Sequence, residues 1–164
     1  MEAIIFMFCL TLHNIEEALW LTDWQKQNMP NSRRTLQKEH FIFAVLGITV
    51  LGYLAAGLFA LFPDHVTLAY AFYGFVGAML INAIVPHLLF TILYRKYYPG
   101  VLTGCFLIMP FHIILLLRAA SEKGSVVEIM IATLAVGLIL LGSIPVFERI
   151  AKKIFDARLS EWAK

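Results

Sequence analysis

Charge is scarce in this chain. Only 15% of its 164 residues are Asp, Glu, Lys or Arg, where a soluble domain carries about a quarter. Hydrophobic residues make up 60%, and the mean hydropathy is +0.79. That balance argues against a water-soluble globule and places the chain in the membrane class. Cysteine is scarce too. Cys9 and Cys105 both lie in apolar stretches and read as small buried residues, since a disulfide needs an oxidising, exposed setting. Low-complexity segments are absent. No inverted repeat of the transporter kind is visible, and five spans do not divide into two equal halves. The first segment, opening Met1-Glu2-Ala3, lacks a basic n-region and a following A-x-A-like site, so it is expected to be retained as a helix. The pI of 8.6 comes from loop lysines and arginines and gives no reason to expect nucleic acid as a partner.

What is present is a series of long apolar runs. A membrane-crossing helix needs about 20 mostly apolar residues. Five such runs fall at roughly Ala3–Leu21, Phe41–Phe62, Val66–Leu93, Gly100–Leu117 and Val126–Phe147. The expected fold is an all-α membrane protein, a bundle of five transmembrane helices forming one domain over residues 1–164. The third run is long enough to tilt or kink. The polar linker Thr22–His40 holds Lys26, Arg33, Arg34 and Lys38. With Arg95, Lys96, Arg149, Lys152, Lys153, Arg158 and Lys164 these make eleven of the thirteen basic residues, all on one side; Arg118 and Lys123 are on the other. The positive-inside rule then predicts an outside N-terminus, a cytoplasmic C-terminus and residence in the cell's inner membrane, with Trp20 and Trp24 in an interfacial aromatic belt. The tail from Glu148 sets Ile150, Ile154, Phe155 and Trp162 among basic residues. It is expected to lie on the membrane surface or to continue the fifth helix.

The few ionisable residues inside the spans therefore carry the functional argument, because each costs at least about 2.5–3.5 kcal/mol at mid-bilayer. The first helix has three within five positions, His13, Glu16 and Glu17, and their spacing puts them on one face. Two adjacent carboxylates in apolar surroundings cannot both ionise cheaply. Either a cation neutralises them, as a metal would, or one holds a proton, as a general base would. The third helix brings Asn82 and His87 around Pro86. Pro86 lacks an N–H, so the helix is expected to kink there and free the carbonyl of Asn82. The fourth has His112 shortly after Pro110. Counting helical rise from the charged loops puts Glu17 and His87 roughly 10 Å deep, His13 roughly 15 Å, and Asn82 and His112 about 18–20 Å. His40 is expected at the interface and His65 in a turn. Gly100 and Gly104 form a G-x-x-x-G pattern, which calls for a close helix neighbour.

Zinc takes imidazole and carboxylate ligands and, in catalytic sites, keeps a position for water, whose pKa it lowers to about 7. His13, Glu17, His87 and His112 are the candidate metal ligands. Glu16 is the candidate for handling protons, with Asn82 as a further polar group of the site. His-x-x-Glu with a second Glu beside it is not one of the standard metalloenzyme signatures.

These residues resemble the HXXEE family of small membrane proteins. His13-Asn14-Ile15-Glu16-Glu17 matches the motif that names it, His87 its separate histidine, and Tyr97-Tyr98-Pro99-Gly100 its Tyr-x-Pro-Gly motif, in that order over about Leu10 to Pro110. The resemblance implies that His13, Glu16, Glu17 and His87 act together, and it carries no settled activity. Physically, Tyr97–Gly100 is the turn between the third and fourth helices, with Pro99 setting φ and Gly100 freeing the backbone. The resemblance gives that segment a role. Orienting His87 towards His112 is one; a Tyr98 hydroxyl reaching substrate is another.

The expected function is a metal-dependent membrane enzyme, a hydrolase of a lipid or other embedded substrate, with zinc as the cofactor. Membrane lipids and a second copy of the chain are the expected partners. The alternatives are a proton- or cation-coupled transport protein using the same cluster, or a redox protein with haem held by His13 and His112.

Overall fold

A computed structural model describes residues 1–29, 37–123 and 125–162; the segment 30–36 with Arg33 and Arg34, and Lys164, lie outside it, as do the side chains of Arg158 and Trp162. The described residues are helical apart from short turns. Helix α1 is Glu2–Asn28 and α2 is Lys38–Leu61. Helix α3 runs in three joined pieces, Val66–Asn82, Ala83–Leu88 and Leu89–Tyr94. Helix α4 does likewise through Val101–Thr103, Gly104–Ile108 and Met109–Lys123. Helix α5 is Val126–Trp162. All five are long and apolar enough to cross a membrane. Large side chains such as Phe8, Phe106, Leu134 and Leu138 point outward, an arrangement that suits hydrocarbon and not water.

Three helices run past the spans read from the sequence, α4 among them, to Lys123. Helix α1 continues seven residues past Leu21, to Asn28, because Gln25, Lys26 and Gln27 are good helix formers even when polar. Asn28 closes its last turn by donating to Trp24 O at 2.9 Å, and Lys38 Nζ pairs with Asp23 at 3.0 Å across the linker. The basic tail does continue the fifth helix.

Small residues set the helix spacing. Helix α3 packs most extensively on α5, where a Cβ at Gly74 would stand 2.7 Å from Ala132 O and one at Gly77 would overlap Thr133. Gly104 approaches Ala83, where a Cβ would lie 3.3 Å from its methyl, so the glycine pattern in α4 is satisfied within the chain. One end of the bundle is filled by aromatics. Phe6 meets Phe72 and Phe75 edge-on at 5.3 and 5.5 Å, and Phe59 stacks on Phe72 at 4.4 Å. Tyr73 donates to Glu2 there at 2.8 Å. Cys9 is buried in this layer and Cys105 is partly buried; both are free thiols.

The opposite end is polar, and two broken helices make it so. Pro86 cannot donate to the helix. The backbone widens over Ala83–Leu88, with Val85 at φ −127° and ψ 111°. Helix α4 widens over Gly104–Ile108 just before Met109-Pro110. Such wide turns occur frequently at functional sites.

Candidate metal centre

Three of the expected ligands converge. Glu17 Oε1 lies 2.6 Å from His87 Nε2 and 3.3 Å from His13 Nε2. The two imidazoles are edge to face, with centroids 4.9 Å apart. His13 is fully buried, His87 is 1% exposed and Glu17 is 13% exposed, so the glutamate alone has an outlet. One ligand atom from each residue falls within 4.8 Å of the others. Asn82 joins them: its Nδ2 is 3.1 Å from His87 Nε2, 3.2 Å from His13 Nε2 and 3.3 Å from Glu17 Oε1. Counting uniform helical rise put Asn82 well above Glu17. The helix is broken between Asn82 and His87, wide over Ala83–Leu88 and non-helical at Val85, and across that break the two side chains meet.

The hydrogen bonds behind the histidines fix their protons. His87 Nδ1 lies 2.6 Å from Pro99 O. A carbonyl only accepts, so Nδ1 carries the hydrogen and Nε2 faces the cluster. His13 Nδ1 lies 2.9 Å from Thr103 Oγ1. Thr103 has a single proton, which it gives to Glu16 Oε2 at 2.5 Å; its oxygen therefore accepts from His13 Nδ1–H. His13 Nε2, His87 Nε2 and Glu17 Oε1 therefore meet at one point, with the two N–H groups of Asn82 beside them. A divalent cation, or a proton shared between imidazole and carboxylate, would balance this donor set. Metal-bound histidines almost always donate the other ring N–H to a carbonyl, carboxylate or water, and here that pattern is built around both rings. A tetrahedral ion held at about 2.0–2.1 Å needs ligand atoms about 3.3–3.4 Å apart; His13 and Glu17, at 3.3 Å, match, while His87 and Glu17, at 2.6 Å, would have to part to admit one. The donor set, two imidazoles and a carboxylate, fits zinc.

Glu16 faces away from this point. Its Oε1 accepts from Gly100 N at 2.8 Å, Leu102 N at 3.3 Å and the Tyr97 hydroxyl. Its Oε2 accepts from Thr103 N at 2.8 Å as well as from the Thr103 hydroxyl. Five donors leave no place for a carboxyl proton. Glu16 thus caps the first turn of α4 from another helix, supplying the acceptor that the orphan N–H groups of a helix start require. It is a positioning residue and not the proton carrier of the cluster that the sequence suggested.

Two further expectations are corrected. His112 is fully buried against Phe6, with ring centroids 5.6 Å apart, and neither ring nitrogen has a hydrogen-bond partner. It is outside the group of converging ligands, because the widened turn of α4 turns Thr103, and not the histidine beyond Pro110, towards His13. Among the described residues, Tyr98 makes no side-chain hydrogen bond to the cluster and meets it through its ring against His87. The ring is buried between Trp24, Phe90 and His87 at 4.6, 5.3 and 5.6 Å. Burial, with Glu17 and Tyr94 adding to it, pushes its hydroxyl up to about 12. Tyr97 takes the glutamate bond instead; burial and then the bond to Glu16 raise its pKa. Gly100 fits a place no other residue can. It has φ +95°, and a Cβ there would overlap the His87 ring. His40 stacks on Phe155 at 6.1 Å, far along the chain from the cluster. The sequence marks Tyr97 and Pro99 only as parts of the turn motif, and it does not mark Thr103. A buried carboxylate needs donors, and a helix start after Pro-Gly offers three; that was the available signal.

The family described as proteins of unknown function with an HXXEE motif matches residues 4–115, which include every residue of the cluster. An uncharacterised protein of Bacillus subtilis (strain 168), YrkK, is 42% identical over 150 residues, covering 91% of this chain and 94% of its own. No solved structure matches. The chain belongs to the HXXEE family.

Proposed function

We propose that the protein is a metal-dependent enzyme of the cytoplasmic membrane that hydrolyses a lipid or another embedded substrate. The observation that carries this reading is the convergence of His13 Nε2, His87 Nε2 and Glu17 Oε1 with both ring Nδ1 protons already committed elsewhere. These three side chains would hold the ion, zinc by donor chemistry. A bound divalent ion supplies Lewis acidity and a water ionised near neutral pH. Asn82 directs its amide at the same point and can donate to a substrate carbonyl. Glu17, through the carboxylate oxygen not directed at the histidines, would accept the proton of the attacking water and return it to the leaving group. In that step water oxygen bonds to the carbonyl carbon, the bond to the leaving oxygen or nitrogen breaks, and the leaving group departs protonated. With the N-terminus outside, as loop charge implies, the site sits in the inner leaflet.

Metal analysis of gently purified protein tests the reading. About one zinc per chain is expected, lost in both His13→Ala and Glu17→Ala. Absence of stoichiometric metal, or its survival through both changes, would refute it. A cation-coupled transporter is favoured by one observation, that Glu17 lines a cavity. Substrate-driven flux into liposomes, lost in Glu17→Gln, would favour that reading over hydrolysis. Haem has less support, since the cavity is lined by neither His13 nor His112.

A further inference from the structure

Glu17 and Asn82 belong to the cluster and also to the wall of a cavity of about 520 Å³ enclosed by α1, α2, α3 and α5. The wall is hydrocarbon except at Asn14, Glu17, Asn82 and Thr133, and among the described residues no Lys or Arg lines it. Asn14 is held in place by donating to Thr49 at 2.7 Å. The cavity has a side opening. Ile81 and Val85 on α3, with Leu134, Leu138 and Leu141 on α5, line it and are 48–71% exposed on the outer surface. Helices α3 and α5 touch closely at Gly74 and Gly77. The cavity reaches past that contact to Val85 and Pro86, where α3 breaks. The opening therefore faces the hydrocarbon of the bilayer and lies beside Asn82.

Size and polarity narrow the occupant. At roughly 30 Å³ per methylene-sized group, the space takes about seventeen such groups. That is one long chain and not two. The three neutral polar side chains suit a carbonyl or hydroxyl. We propose that the cavity binds a lipid with a single long hydrocarbon chain and an ester or amide head. The chain enters sideways between α3 and α5, and the head carbonyl reaches Asn82 and Glu17. This deepens the proposed function and rests on the cluster being a reaction centre.

Photolabelling tests it. The probe is a monoacylglycerol carrying a diazirine in its chain, added to zinc-loaded protein in nanodiscs, with labelled residues mapped by mass spectrometry. Label is expected on cavity residues of α2, α3 and α5. It should be displaced by excess monooleoylglycerol and not by dioleoylphosphatidylcholine. Gly137→Leu should lower labelling about tenfold, a loss of roughly 1.4 kcal/mol. A Cβ there meets only Ala78 at 3.8 Å, so the larger side chain fills the cavity without a clash. Leu138→Trp, at the outward-facing rim, should do the same without touching the packed core. Gly142→Leu, in open space on the same helix, should leave labelling intact. Zinc content is measured on the same samples. Zinc present with no cavity label, label indifferent to Gly137→Leu and Leu138→Trp, or equal displacement by the two-chain lipid each overturns the proposal. Cavity label that obeys the variants in zinc-free protein upholds it while sinking the metal reading.

Discussion

The adjacent glutamates should respond in opposite ways to loss of charge. Glu16→Gln replaces an acceptor pair that serves five donors. In its best orientation the new amide faces Thr103. The Thr103 hydroxyl can turn and accept, but Thr103 N–H is left opposite a donor, which costs about 1–3 kcal/mol. Three remaining bonds lose charge assistance, at several tenths of a kcal/mol each, so the total is about 3–5 kcal/mol. Glu17→Gln should behave differently. In metal-free protein Glu17 Oε1 lies 2.6 Å from His87 Nε2 and 3.3 Å from His13 Nε2, contacts that a shared proton bridges. A glutamine can donate to one of these nitrogens and accept from Asn82, so stability should stay within about 1 kcal/mol of the parent. The assay is SDS-induced unfolding in mixed micelles, followed by circular dichroism, with chelator present so that binding energy is absent from the comparison. Zinc affinity is read separately. It should fall about 10–100-fold in Glu16→Gln, through the Thr103–His13 bond, and be lost in Glu17→Gln. Equal destabilisation by the two changes, or a larger loss from Glu17→Gln, would refute the division of labour.

His112→Leu should retain full zinc content and keep or raise stability by about 1–3 kcal/mol, because it removes two buried ring nitrogens without partners; loss of zinc in this variant would return His112 to the ligand set. Gly100→Ala should destabilise by more than about 1 kcal/mol, since φ is +95° and the new methyl would overlap His87. The same unfolding titration measures it, and zinc binding should weaken in parallel as His87 is displaced.

The five spans were legible because their signal is compositional and long. The polar site was legible only in part. His13, Glu17 and His87 stood out through the cost of burying an ionisable group, a property each residue carries by itself. His112 carries the same property and proves to be outside the cluster, because cost says nothing of direction. Direction comes from backbone geometry that departs from the ideal helix, at Ala83–Leu88 and Gly104–Ile108. A proline announces that a helix will break, but not how far the next side chain will swing. For that reason Asn82 was misplaced in depth and Thr103 went unnoticed. The cavity was illegible for a related reason: its walls come from four helices, and its space is the mismatch among their shapes.

The spacing of the motif itself follows from the geometry. An imidazole has two nitrogens on opposite edges, and a buried histidine must satisfy both. On a helix, positions three and four residues further on flank the same side chain from two sides. Glu17, at the fourth position, reaches Nε2 directly. Glu16, at the third, turns to α4 and serves Nδ1 through the Thr103 hydroxyl. Each glutamate thus governs one nitrogen of His13. One holds the ring's proton on the far side; the other shares the near lone pair with whatever cation occupies the cluster. Moving either carboxylate by one residue would rotate it about 100° off this face. His-x-x-Glu-Glu is in this sense one histidine with both of its edges specified. The second histidine needs no such pair on its own helix, because the backbone carbonyl of Pro99 does for His87 what Glu16 and Thr103 do for His13.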